Sequence, residues 1–92
     1  MIWTIRLRLE NNEEETKNLE ISDKYLCLLD DEYKKLFTAN AVRMFNEMVN
    51  YISAIAGDYY SVLEAYCDKM SLTSLRNELI NLNDARLLTK KM

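Results

Sequence analysis

The sequence has no histidine, no proline and a single glycine, Gly57. Each shortage excludes chemistry. Without histidine there is no imidazole to serve as a general base near neutral pH and no histidine ligand for a metal. One glycine cannot build a G-x-G-x-x-G turn or a P-loop, because both need several positions free of Cβ to bring backbone against phosphate. Most familiar catalytic and cofactor-binding designs are thereby removed, and the sequence alone does not name a function.

Other shortages narrow the field further. There is no excess of basic charge: 12 Lys and Arg stand against 15 Asp and Glu, a net charge of −3 that does not favour general attraction to nucleic acid or to acidic membrane surfaces. No apolar run reaches the length of a membrane span, and the opening residues Met1 to Arg8 lack the uninterrupted apolar stretch of a secretion signal. The two cysteines, Cys27 and Cys67, are far apart and in no C-x-x-C spacing. They read as buried free thiols in a reducing compartment, with a disulfide as the alternative, and a cytoplasmic location is the expectation.

What is present suffices for one domain. With 92 residues, 49% of them hydrophobic, the chain can form a modest core without disulfide or metal staples, since folding at this size buries roughly 60–65% of the unfolded surface. Residues 2–9 alternate: Trp3, Ile5, Leu7 and Leu9 fall on one side, Thr4, Arg6 and Arg8 on the other. That period of two predicts a half-buried strand. Asn11 to Thr16 form a polar turn region, and Leu19-Glu20-Ile21 is a short second strand, giving an N-terminal β-hairpin over residues 1–22. A hairpin alone is marginal in water, so its apolar face must rest on the helical remainder, residues 23–92.

Ser22 or Asp23 is placed to cap a helix through Tyr25, Leu26, Leu29, Tyr33, Leu36 and Phe37. Residues 25–29 can alternatively form a third strand, with Asp30 capping a shorter helix; the helix is the preferred reading. From Thr38 to Ala56 two apolar stripes run side by side, Val42-Phe45-Val49-Ile52-Ala56 and Ala41-Met44-Met48-Tyr51-Ile55. So wide a face marks the central helix of the fold or one shared with a partner. Gly57 ends it and Asp58 caps a further helix, Tyr59 to Met70, carrying Tyr59, Val62, Leu63, Tyr66 and Met70 inward. Ser71 or Thr73 starts the last helix, with Leu72, Leu75, Leu79 and Leu82 in register and Asn81 to Asp84 expected to weaken or kink it. The fold class is α+β: an N-terminal β-hairpin packed on a small bundle of three to four α-helices.

Several side-chain groups invite a chemical role. Glu13-Glu14-Glu15 and Asp30-Asp31-Glu32 concentrate carboxylates, but neighbouring side chains in a loop point apart and no calcium-loop spacing occurs, so they read as solvated charge and no metal ligands are expected. Cys27, Cys67, Ser61 and Ser74 have no histidine to take a proton, and neither G-x-S-x-G nor S-x-x-K is present. No catalytic residue and no cofactor follow from this sequence, and the chain is read as a non-enzyme. Six tyrosines and five methionines fall mostly in register with the core. Tyr59 and Tyr60 are adjacent and cannot both face inward on one helix, which leaves Tyr60 as an anchor for a partner, with Tyr59, Met44 and Met48 beside it.

Thr4-Ile5-Arg6-Leu7-Arg8-Leu9 resembles the DNA-reading strand of ribbon-helix-helix repressors, in which strands paired across a dimer lie in the major groove. The resemblance implies Thr4, Arg6 and Arg8 as base- or phosphate-contacting residues of a dimeric regulator. In that family a helix follows almost directly, whereas here Glu13-Glu14-Glu15 comes next. The preferred reading is therefore a small protein-binding protein, adaptor or inhibitor-like, with a homodimer through the wide helical face as an option and the DNA-binding regulator as the alternative. Its composition would suit a phage or plasmid protein, an association rather than a physical argument.

Overall fold

The structure, a computed structural model, describes residues 1–55, 61–68 and 70–91, with side chains described for all of these except 61 and 86–91. The alternation of the first residues forms strand β1, Ile2–Arg8, with Trp3, Ile5 and Leu7 buried and the intervening residues outward. A turn in which Asn12 takes a left-handed φ of 68° returns the chain as β2, Glu14–Glu20. Asparagine tolerates that conformation better than most residues. The hairpin is in antiparallel register from Ile2 opposite Glu20 to Arg8 opposite Glu14. The second strand is thus seven residues long, starting within the acidic run assigned to the turn, and only Leu19 of the predicted trio is a half-buried apolar residue within it.

Ile21 drops into the core, and Ser22 accepts the Lys24 N–H at the start of a 3₁₀ helix, Asp23–Leu29. Its buried residues Tyr25 and Leu28 lie three apart, the spacing that superimposes side chains in a three-residue turn. Asp30 is extended and its carboxylate accepts the N–H groups of Glu32 and Tyr33, capping helix α1, Asp31–Leu36. The single helix predicted from residue 23 to 37 is two, divided at Asp30.

Helix α2, Thr38–Ile55, follows after one residue. Thr38 is buried and donates its hydroxyl to the Lys34 carbonyl, tying the two helices at an elbow. The inward stripe of α2 is Ala41, Phe45, Met48 and Ile52. Residues 56–60, including Gly57, Asp58, Tyr59 and Tyr60, lie outside the described residues.

The segment predicted as a helix from Tyr59 to Met70 is instead β-structure: β3, Ser61–Cys67, and β4, Met70–Ser71. β3 pairs antiparallel with the far side of β1, giving the four-stranded order β2-β1-β3-β4. Its register shifts between Arg6 and Leu7, with Glu64 opposite Arg6 and Val62 opposite Leu7. Leu63 is therefore an extra residue, a β-bulge that shifts the alternation by one. Val62, Ala65 and Cys67 consequently face the core at spacings of three and two.

Helix α3, Leu72–Lys91, is helical throughout, Asn81 to Asp84 included. Its start is capped twice. Ser71 accepts the Ser74 N–H, and Glu64 reaches across from β3 to accept the Thr73 N–H at 3.3 Å and hydroxyl at 2.7 Å. Leu72, Leu75 and Leu79 bury its inner side. One core joins Trp3, Ile5 and Leu7 to the inward residues of the 3₁₀ helix, α2, β3 and α3. Beside it Lys34 of α1 is fully buried, with its ammonium 2.8 Å from Glu78 of α3 and 3.3 Å from Asp31. The fold class is α+β, with the N-terminal hairpin inside a four-stranded sheet backed by helices.

Candidate functional site

The groups that could carry chemistry are largely occupied by the fold. Asp30 caps α1, Asp31 holds Lys34, and Glu14 pairs with Arg6 at 3.1 Å. A hydrogen bond from Lys34 and its positive charge hold the Asp31 carboxyl below the usual carboxylate range. Burial works against ionisation of Glu64, but hydrogen bonds from the Thr73 hydroxyl and from the backbone N–H groups of Ala65, Thr73 and Leu72 together outweigh it and lower its pKa. Among the described residues no group of three or more Cys, Asp or Glu is arranged to hold a metal ion.

Cys27 and Cys67 are free thiols. Cys67 lies in the core, where burial, with Asp68 adding to it, raises its pKa above the ordinary thiol value and makes it a poor nucleophile. Cys27 is half-buried and sits 3.6 Å from the sulfur of Met44, which the Tyr33 hydroxyl also approaches at 3.6 Å.

The predicted partner-binding residues do not converge. Met48 has no exposed surface and is a core residue, so it offers a partner nothing in this fold. Met44 is half-buried between the 3₁₀ helix and α1. Tyr59 and Tyr60 fall outside the described residues. The second apolar stripe of α2 is partly consumed as well: Met44 packs against the core beside Met48, and of that stripe only Tyr51 and Ile55 remain exposed. The surplus that suggested a homodimer through α2 is smaller than the sequence pattern implies.

Thr4, Arg6 and Arg8 do share the outer face of β1, uncovered by helix. However, Thr4 donates to Asn18 at 3.2 Å and Arg6 is held by Glu14 and Tyr66. More decisively, β1 is paired along both edges, with β2 and with β3. It has no edge left for a twofold copy, so the strand pairing of a ribbon-helix-helix dimer cannot form through it.

Two features missed in the sequence form the candidate surface. At the elbow of α1 and α2, Leu36 is 72% exposed and Phe37 55%. The rings of Tyr33 and Phe37 lie with centroids 5.3 Å apart, and a shallow depression runs from Lys35 to Asn40 beside them. Both elbow residues continue the threes-and-fours spacing of the helix the sequence predicts. Their adjacency was the available signal, since consecutive large residues on a helix cannot both face inward. The second feature is the outer side of β2, next to a small apolar groove lined by Ile5, Leu7, Lys17, Asn18, Leu19, Ile52 and Ile55.

Compared with family models, curated proteins and solved structures, the chain matches none. Among the described residues no helix is long and apolar enough to cross a membrane.

Proposed function

We propose that this protein is a small non-catalytic binding module, adaptor or inhibitor-like, acting in the cytoplasm by contact with another protein. The observation that carries the reading is the elbow. Leu36 and Phe37 present two large apolar side chains to solvent at the junction of two helices tied by the Thr38 hydroxyl bond to the Lys34 carbonyl. Leu36 is largely in solvent and Phe37 is covered in part by Tyr33, whereas aromatic and aliphatic anchors are what protein interfaces bury at their centres. Free thiols at Cys27 and Cys67 suit a reducing compartment. The homodimer option retains Tyr51 and Ile55 as its contact and requires a doubled mass in light scattering.

The test is capture of the cellular partner with wild-type protein, Leu36→Asp and Phe37→Asp. Loss of an interface anchor weakens binding by about 30-fold, while melting midpoints stay near wild type because both positions are exposed. Unchanged capture of the same partner by both variants overturns the elbow as the contact.

A further inference from the structure

The hydrogen-bond phase of the hairpin fixes which way each backbone group of β2 points. Ile21 donates to the Met1 carbonyl and Leu9 to the Glu13 carbonyl, so the odd-numbered residues of β2 exchange bonds with β1. The N–H and C=O groups of Glu14, Thr16, Asn18 and Glu20 therefore point to the opposite edge. Among the described residues no strand pairs there, and β2 is the terminal strand of the sheet. An open edge of this length is a template for a further strand.

What lies beneath the edge favours occupation. Leu19 is the only apolar side chain of β2, and the apolar groove beside it has the buried Ile5, Leu7 and Ile52 as its floor and the exposed Ile55 at its rim. Ile55 and Tyr51, each 45% exposed, continue that apolar surface along the same side of α2. A strand added to β2 would lay its core-facing side chains over them.

Charge selects the occupant. The hairpin from residue 10 to 20 carries Glu10, Glu13, Glu14, Glu15 and Glu20 against one lysine, Lys17; with Glu14 paired to Arg6 and Glu20 to the amino terminus, Glu10, Glu13 and Glu15 carry the acidic surplus. A second copy paired through β2 would bring two such strands together, with like charges opposed across the new ladder. Nucleic acid is repelled by the same carboxylates. A strand carrying Lys or Arg at alternate positions meets them favourably.

We propose that the open edge of β2 binds an extended, basic segment of a partner protein as a fifth strand, its alternate apolar side chains entering the groove under Leu19. The proposal rests on the protein-binding reading but uses a different surface from the elbow, so the two can fail separately.

The probes are three ten-residue peptides, titrated into the full ¹⁵N-labelled chain. One alternates lysine with valine, one alternates glutamate with valine, and one has the lysine–valine composition in scrambled order. The alternating basic peptide is expected to bind saturably and to slow hydrogen exchange at the outward amides of Glu14, Thr16, Asn18 and Glu20. The other two should bind at least about tenfold more weakly, the loss expected when ladder bonds or charge pairing are absent. Thr16→Pro removes one outward donor without touching the ladder to β1, and should weaken the basic peptide about tenfold. Exchange protection in the wild-type chain needs no variant, so the proposal stays testable if Thr16→Pro disturbs the hairpin. Equal binding of the alternating and scrambled basic peptides, protection located elsewhere, or no saturable binding overturns the strand addition. Loss of the cellular partner on Phe37→Asp but not on Thr16→Pro leaves the binding function standing and removes the edge from it.

Discussion

β2 and β3 flank the same strand, yet they are held in different ways. β3 sends Ala65 and Cys67 into the core, and its Glu64 caps α3 from across a chain reversal. On its outer side the short β4 pairs with Tyr66 and Cys67, and α3 adds Leu72 and Leu75 to the core behind it. β2 makes a longer ladder with β1, but contributes only one half-buried apolar residue and, among the described residues, has no strand on its other side. Backbone pairing alone therefore does not decide which flank is structural. What decides is whether the strand's side chains reach a helix. One side of this sheet is committed to folding and the other is left available for contact.

Core truncation should separate the flanks most strongly. Leu75→Ala and Ile52→Ala remove fully buried side chains, at a cost of about 2–5 kcal/mol each. Leu19→Ala on β2 should cost about 1 kcal/mol or less, because the side chain is only half-buried. Urea melts measure all three. A Leu19 variant as damaging as Leu75→Ala would mean that β2 is as integral to the core as β3.

The next effect belongs to the buried lysine beside the core. Glu78→Ala leaves Lys34 with only Asp31, which is largely exposed and 3.3 Å away. A cost of about 2 kcal/mol is expected, less than the 3–5 of a wholly orphaned buried charge. Adding Lys34→Met should recover most of it, since removing both partners removes the unpaired charge. A double variant as unstable as the single would show that Glu78 acts by packing instead.

The cap from Glu64 is smaller and depends on pH. Asp31 and Glu64 both have folded pKa values below the ordinary ones. Their contributions are complete above the unfolded carboxylate value, about 4, and disappear as pH falls through the lowered folded values. Urea midpoints should accordingly be level from pH 7 to 5 and fall below about pH 4. Glu64→Gln should cost about 1 kcal/mol at pH 7, as other capping losses do, and should flatten part of the acid decline. An acid decline identical to wild type removes Glu64 from the account.

The two flanks also differ in how readily the sequence declares them. β1 could be read because its inward Trp3, Ile5 and Leu7 keep an unbroken period of two. α2 could be read because five buried positions follow helical spacing. β3 misled because the bulge at Leu63 puts Val62 and Ala65 three apart on one side of a strand, the spacing of a helix turn. Nothing local marks that extra residue, since its cause is pairing with a strand more than fifty positions earlier. β2 is longer than the sequence suggests because Glu14, Glu15, Lys17 and Asn18 have little strand propensity and are held by β1. Of the candidate surface, the elbow was within reach through the adjacency of Leu36 and Phe37. The open edge was not, because being an edge is a property of the whole sheet.

The smallest expected effect is at the outer face of that edge. Arg6 and Glu14 form an ion pair across β1 and β2, 43% and 52% exposed. Exposed pairs of this kind contribute about 0–1 kcal/mol, so Glu14→Gln should shift the urea midpoint barely beyond error. The same substitution removes one carboxylate from the acidic flank and leaves every backbone group of β2 in place. Its effect should therefore appear in recognition, as weaker binding of a basic strand that steepens at low salt, where screening is least. A Glu14→Gln variant that loses stability and leaves basic-strand binding untouched would reverse the comparison, making the β2 flank a structural element and its charge incidental.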